Sequence, residues 1–250
     1  QGLVSVYYDH YSAGLPDYIM RRKTLSEIKG KCSLIDNKKN YLHRGKYEQD
    51  ALVASSNIIG RTTWDKACAH FIAPESRYYF CNENLRSVFY DGSQWEYEKC
   101  NKYQIAISQA GYPIKGLHKV IEAVALLCNE FPDIKVKVGG ANIFGGNWIK
   151  GNSYGIYIRQ LLKKYNLQDQ FEFEGFLSAE KMKRLLLESN VFVCPSSIEN
   201  SPNSLGEAML LGVPCVASDV GGIADMLTHN DEGFLYPFDD SYKMAFYIRK

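Results

Sequence analysis

The sequence has no excess of either charge, no long apolar run and no paired cysteine motif. Its 29 Lys and Arg stand against 28 Asp and Glu, a formal net charge of +1, and no block of like charge stands out along the chain. A nucleic-acid partner held through a broad basic face is therefore not indicated. No run of about eighteen apolar residues occurs, and no basic-then-apolar leader opens the chain, so neither a membrane span nor an address signal is expected. The seven cysteines include no Cys-x-x-Cys pair, and Cys194 and Cys215 fall in apolar, strand-like runs. Buried thiols in a reducing compartment follow, and the expected location is cytoplasmic. His10, His43, His70, His118 and His229 show no ligand spacing, so no metal site is expected. Internal repeats and low-complexity tracts are also lacking. The chain opens without Met and stops inside a helical pattern, DDSYKMAFYIRK; the expectation is a fragment lacking the start of a first domain and the end of a second.

What is present is enough for cores. With 250 residues and 46% hydrophobic content, the chain can build one large or two ordinary domains. From Tyr103 onward strand-like and helix-like segments alternate: QIAIS, GLHKVIEAVALLCNEF, IKVKVGG, SYGIYIRQLLKKY, FEFEG, SAEKMKRLLLES, VFVCPS, a further helix, PCVAS and GFLY. Short connections between them predict a parallel sheet with crossover helices. Val120, Ala123, Val124 and Leu127 share one helix face, and VFVC is apolar on both sides, as a doubly covered sheet requires. Before this half, NIIGRTTWDKA and RYYFCNENLR read as strand followed by turn or helix, while Ala13 to Asn40 reads as polar and irregular. The predicted organisation is a partial α/β domain over 1–90, a connection over 91–102 and a Rossmann-like domain over 103–250.

One stretch carries most of the chemistry: SIENSPNSLGEAMLLGVPC, Ser197 to Cys215. Ser201 suits an N-cap and Pro202 the first helical position, with Gly212 ending the helix after Leu211. The amides of Asn203, Ser204 and Leu205 then lack intrahelical partners and face the crevice outside the carboxyl ends of the strands. Amides plus the positive helix end make an anion site, with phosphate the usual occupant. Gly206 costs the helix about 1 kcal/mol against alanine, which suits close approach either of a ligand or of packed neighbours. Glu199 can favour the positive helix end, but Glu207 lies beyond the first turn, where that effect has faded. It is either a solvated carboxylate or, with Glu199, an acceptor for hydroxyls of a ligand whose phosphates sit on the helix.

The string SIENSPNSLGEAMLLGVPCVASDVGG, with its two glutamates separated by seven residues, and KGLHKVIEAVALL upstream resemble the donor-binding half of the retaining glycosyltransferases of family four, of GT-B fold. GRTTWDKA, CNENLRSVFY and YPIKGLH resemble a bacterial branch of that family, so the likeness covers nearly the whole chain. The resemblance implies two Rossmann-like domains facing a cleft and transfer of a sugar from a nucleoside diphosphate sugar, without cofactor or essential metal, to a carbohydrate or lipid-linked acceptor. Peripheral membrane association is compatible with such an acceptor. Glu207 would hold the ribose, Glu199 would contact the sugar near the reacting carbon, and Lys115 would neutralise the leaving diphosphate. Gly175, Phe176 and Leu177 would lie against the base, and Gly221 and Gly222 would bring amides to the sugar or phosphates.

The chain departs from the family pattern in three places. Gln109 stands where an arginine is usual, Asp225 where a glutamate is, and Gln1 falls where a histidine commonly faces the donor sugar, with His10 expected past the cleft. Arg61, at the carboxyl end of strand NII, is the expected substitute cation; a salt bridge within the first domain is its other reading. Two other functions share the crevice: a sugar-nucleotide epimerase of GT-B fold, and a non-catalytic nucleotide-sugar-binding module.

Overall fold

The computed structural model describes residues 2–144 and 151–250; the expectation placed on Gln1 lies outside them. The first part of the chain is helical: α1 (Val4–His10), α2 (Asp17–Met20), α3 (Leu25–Gly30) and α4 (Leu34–Val53). The expected irregular segment from Ala13 to Asn40 is thus three helical pieces. Two of them start at reciprocal caps, Thr24 with Glu27 and Ser33 with Asp36. Each hydroxyl takes the amide three residues on, and each carboxylate takes the cap's own amide, so two otherwise unpaired donors are satisfied per helix start.

A small α/β unit follows: β1 (Asn57–Gly60), α5 (Thr63–Ile72) and β2 (Arg77–Phe80), the two strands pairing in parallel. Thr62 and Asp65 cap α5 by the same reciprocal device. The larger unit runs β3 (Gln104–Ile107), α6 (Leu117–Leu127), β4 (Lys135–Gly139), α7 (Ser153–Lys164), β5 (Phe171–Gly175), α8 (Ala179–Leu187), β6 (Val191–Cys194), α9 (Asn203–Leu210), β7 (Cys215–Ser218), β8 (Phe234–Tyr236) and α10 (Ser241–Arg249). Its strands form one parallel sheet in the order β5-β4-β3-β6-β7-β8.

Alternate residues along the strands feed two cores, one on each face of the sheet. Ile105, Val136, Val193 and Val216 pack with Val120, Ile121 and Val124 of α6 and Ile158 of α7. On the other face Ala106, Phe192, Cys194 and Ala217 meet Leu186 of α8 and Leu205 and Ala208 of α9. Burial pushes the Cys194 and Cys215 thiols up to about 12, so both behave as small apolar residues.

A boundary at residue 90 does not separate the apolar contacts. Tyr11, Leu15, Ile19, Met20 and Leu34 are buried in the core shared with α6 and α7. Polar bonds reinforce the attachment: the Ser153 amide and hydroxyl donate to the buried Glu27 carboxylate at 2.8 and 2.6 Å. The His118 Nε2–H donates to the Ala13 carbonyl at 2.8 Å, leaving Nδ1 to the Tyr154 hydroxyl at 3.2 Å. With so few apolar residues between Ala13 and Asn40, the pattern gave no sign of this packing.

His118 is 1% exposed, and burial lowers its pKa from 6.5 to about 4. The unfolded chain therefore binds the proton first as pH falls, so stability drops between about 6.5 and 4. By pH 5 the loss from this residue is about 2 kcal/mol. Chemical melts at pH 7 and pH 5 should show a smaller pH-dependent loss for His118→Gln than for the wild type; an equal loss in both would show that another group governs it.

Candidate active site

The cleft lies outside the carboxyl ends of the larger sheet, where open α/β sheets bind ligands. It holds a cavity of about 550 Å³ lined by Lys115, Glu199, Asn203, Ser204 and Glu207 from the larger unit and by Arg61, Glu83 and Arg86 from the smaller unit and its exit. That volume suits a small organic ligand.

α9 opens onto the cavity, one residue later than expected. Pro202, with φ −71° and ψ 115°, is the N-cap, so Ser201 lies outside the helix and does not cap it. The Leu205 amide donates to the Pro202 carbonyl at 3.0 Å, and the Leu205 side chain is buried in the core. The amides of Asn203 and Ser204 have no partner among the described residues and line the cavity. A Cβ on Gly206 would meet the Leu85 and Met226 side chains at 3.4 Å, an ordinary packing contact, so these neighbours do not require glycine there.

Lys115 ends a tight turn, Pro113–Lys115, that follows β3. Gly116 next to it has φ +69°, and a Cβ there would stand 1.7 Å from the Pro195 carbonyl oxygen, so glycine is sterically imposed directly after the lysine. Lys115 Nζ donates to Glu199 Oε1, which also accepts from the Ser196 hydroxyl at 2.8 Å. The two charged side chains are only 19% and 11% exposed. Burial opposes the charge on Lys115, but Glu199 outweighs it and holds the ammonium above the usual lysine range. Tyr7, also lining the cavity, is pushed up by burial and then by the Glu199 charge.

Glu207 is not a solvated carboxylate. Its side chain is 3% exposed, and its two oxygens accept from Nε and Nη2 of Arg86, each at 2.7 Å. Arg61 has both of its expected features: it lines the cavity and forms an ion pair with Glu83 inside the smaller unit. The cavity therefore carries three cations matched by three carboxylates.

The remaining expected residues fall as follows. Gln109 lines the cavity, as do Phe176, which is 83% exposed, and Leu177. Gly175 is in a left-handed turn, its carbonyl accepting from the Gly140 amide at 2.8 Å. Gly221 and Gly222 do not line the cavity. A Cβ on Gly221, at φ +55°, would lie 1.9 Å from the Glu199 carbonyl oxygen, and the Gly222 amide donates to that same oxygen at 3.0 Å. They support the Glu199 backbone from behind. The carbonyl of His10 accepts from the Ser197 hydroxyl at 3.0 Å, and Asp225 accepts from the Thr63 amide and, at 2.8 Å, from its hydroxyl. Asn200, Arg86, Glu83 and Tyr7 escaped the sequence reading. Only Arg86 had a usable signal, since NENLR follows a strand end just as Arg61 does. Among the described residues no group of three or more His, Cys, Asp or Glu side chains is placed to hold a metal ion.

Removing one member of the Lys115–Glu199 pair leaves the other charge poorly solvated. Lys115→Met should cost about 2 kcal/mol in urea unfolding, and the double variant Lys115→Met/Glu199→Gln should cost clearly less than the sum of the two single changes. Strict additivity would show the pair to be uncoupled.

The family profile for Glycosyl transferases group 1 matches residues 94–250. Amylovoran biosynthesis glycosyltransferase AmsK of Erwinia amylovora is 36% identical over 86 residues, covering 32% of this chain and 21% of the relative. The 2-deoxystreptamine N-acetyl-D-glucosaminyltransferase of Niallia circulans is 36% identical over 78 residues, covering 31% of this chain and 20% of the relative. These matches span about a fifth of either relative. Among solved structures, Anabaena HepE in complex with UDP and glucose aligns with TM-score 0.66 at 20% identity, over 78% of this chain and 52% of that one. Sucrose-phosphate synthase from Thermosynechococcus elongatus aligns with TM-score 0.70 at 18% identity, over 99% of this chain and 56% of that one. Their likeness establishes the fold class, α/β of GT-B type. With the profile matching more than half of its length, the chain belongs to the family Glycosyl transferases group 1.

Proposed function

We propose that this chain supplies the donor side of a retaining glycosyltransferase that moves a sugar from a nucleoside diphosphate sugar to a carbohydrate or lipid-linked acceptor. The observation that carries the reading is the convergence of unpaired α9 amides, Lys115, Glu199 and Glu207 on one cavity. The diphosphate would lie on the amides of Asn203 and Ser204 beside Lys115, the sugar near Glu199 and the ribose at Glu207. Phe176 and Leu177 at the rim would meet the base. HepE, in complex with UDP, supports a uridine nucleotide as the first donor to try.

In the transfer step the acceptor hydroxyl attacks the anomeric carbon on the face the nucleotide is leaving. The bond from that carbon to the phosphate oxygen breaks, the new glycosidic bond forms, and the acceptor proton passes to the departing phosphate. Lys115 and the helix amides would stabilise the negative charge that builds there, in place of a metal ion. Glu199 fixes the lysine and borders the sugar. The family description favours transfer over the epimerase and the non-catalytic module.

A lipid-linked acceptor would bring the protein to a membrane surface. The exposed run Arg21, Arg22 and Lys23, beside Leu25 and Ile28 at 71% and 56% exposure, suits anionic headgroups above an apolar interior. Cosedimentation should favour vesicles containing phosphatidylglycerol over pure phosphatidylcholine, and Arg21→Glu/Arg22→Glu should abolish the preference; equal binding to both vesicles would rule this surface out.

Thermal melts with UDP, GDP and ADP test the donor site directly. A ligand at 100 times its dissociation constant should stabilise the chain by about 2.7 kcal/mol, with chelator present or absent. Lys115→Ala should reduce the shift. No shift with any of the three nucleotides in folded protein would remove the donor site, and a shift abolished by chelator would remove its metal independence.

A further inference from the structure

A second cavity lies one helical turn along α1 from the first. Tyr7 lines the donor cavity, and Tyr11, four residues on and still in helical geometry at φ −60° and ψ −36°, lines the second. Their backbone positions are about 6 Å apart along the helix axis. The second cavity holds about 430 Å³, a volume that suits a small ligand, between α4 and the loop leaving β3. Asn37, Asn40, Tyr41 and Arg44 come from one face of α4, by their spacing of three and four residues, and Gly111 and Tyr112 come from the loop. Both walls are tied to the donor site. Tyr112 opens the turn that ends in Lys115, and the carbonyl of His10, next to Tyr11, accepts from the hydroxyl of Ser197, two residues before Glu199. The charge pattern differs from that of the donor cavity, where each cation has its carboxylate. Here no carboxylate lines the wall, and among the described residues Arg44 has neither ion pair nor hydrogen bond. Glu48, one turn further along α4, is committed to the start of α1, where its two oxygens accept from the Val4 and Ser5 amides at 3.0 and 2.8 Å. The Asn40 amide and the Tyr41 and Tyr112 hydroxyls also lack partners among the described residues.

We propose that this cavity is an acceptor exosite for an acidic glycoside, with the sugar ring against Tyr41 and Tyr112 and its anionic group, a ring carboxylate or a phosphate on the anomeric carbon, on Arg44. The acceptor role rests on the donor-site reading above; the binding itself does not. Tyrosine rings offer an apolar face and a hydroxyl to a sugar, the Asn40 amide offers both a donor and an acceptor, and the guanidinium fork fits either anion. The exosite holds the part of the acceptor behind its attacking hydroxyl, so it selects the acceptor without touching the nucleotide. A seam between α4 and the loop that merely held water would show no preference among sugars.

Ligand-observed NMR titrations test this on the chain held with saturating UDP, or with whichever of UDP, GDP and ADP stabilises it, so that the donor cavity is filled. Methyl glucuronide or glucose 1-phosphate should bind about tenfold tighter than methyl glucoside, or more, the worth of hydrogen bonds to a charged group. Arg44→Gln should remove that preference and Arg44→Glu should invert it, while Lys39→Gln, at an exposed lysine of α4 outside the cavity, should leave it unchanged. A preference for the glucuronide alone places the anion on the sugar ring; one for the phosphate alone places it at the linkage, where a phosphate-linked acceptor carries it. No binding of either acid, equal binding of all three sugars, or a preference that survives Arg44→Gln overturns the exosite while leaving nucleotide binding intact. Failure of every nucleotide to bind removes the donor site and the acceptor role with it, and an Arg44-dependent preference then leaves the cavity as a site for acidic sugars only.

Discussion

The cleft depends on how closely three loops approach one another at the carboxyl ends of β3, β6 and β7. The turn after β3 presses Gly116 against the Pro195 carbonyl, and the turn after β7 presses Gly221 against the Glu199 carbonyl. A side chain at either place would overlap backbone, which has no means to yield. Hydrogen bonds lock the same junctions: the Ser197 amide donates to the Ile114 carbonyl at 2.7 Å, and the Ser218 hydroxyl to the Ser196 carbonyl at 2.6 Å. Lys115 and Glu199 therefore meet because their loops are fixed from both sides. Their pairing finishes an arrangement that the backbone has already imposed.

Electrostatics completes what the loops begin. Three cations would be costly to hold in a narrow cavity, and each has a carboxylate from a different element: Glu199 for Lys115, Glu207 for Arg86, Glu83 for Arg61. The pairs offset much of the desolvation penalty that isolated charges would incur. An incoming diphosphate then meets cations already oriented, in a medium less screening than water, without first reorganising them. The missing arginine at Gln109 is thus set in a cavity that contains two other guanidinium groups.

The larger unit was legible because its signals are local and repeated. Most strands are short apolar runs, β4 and β5 alternate apolar with charged residues, the helices show periodic faces, and Gly212, at φ +78°, stops α9 where its position after Leu211 predicts. Residues 13–40 were not legible, since their helices depend on caps at Thr24 and Ser33 and on a handful of apolar side chains whose partners, α6 and α7, lie far along the chain. The start of α9 was misjudged by one residue because proline at N1 is the commoner arrangement, whereas Pro202 keeps an extended ψ and caps through its carbonyl. For Glu207, spacing singled out the residue but could not reveal Arg86, which is 121 positions away.

Asn200 shows why the two units cannot be considered separately. Its amide donates to Asp65 at 2.7 Å and its oxygen accepts from the Thr62 hydroxyl, both at the capped start of α5. Thr63 in turn donates to Asp225, close behind the Gly221–Gly222 turn that supports Glu199. The smaller unit thus grips the larger one on both sides of a single residue pair, Glu199 and Asn200, which both line the cavity, the first paired with Lys115 and the second bonded to the smaller unit. Any rotation that opened the cleft here would have to break the Asn200 and Asp225 bonds, and it would pull on the backbone that carries Glu199. With Arg86 tying the exit of the same unit to Glu207, the smaller unit bears on the larger one beside both Glu199 and Glu207, whose backbone positions are set within the larger unit.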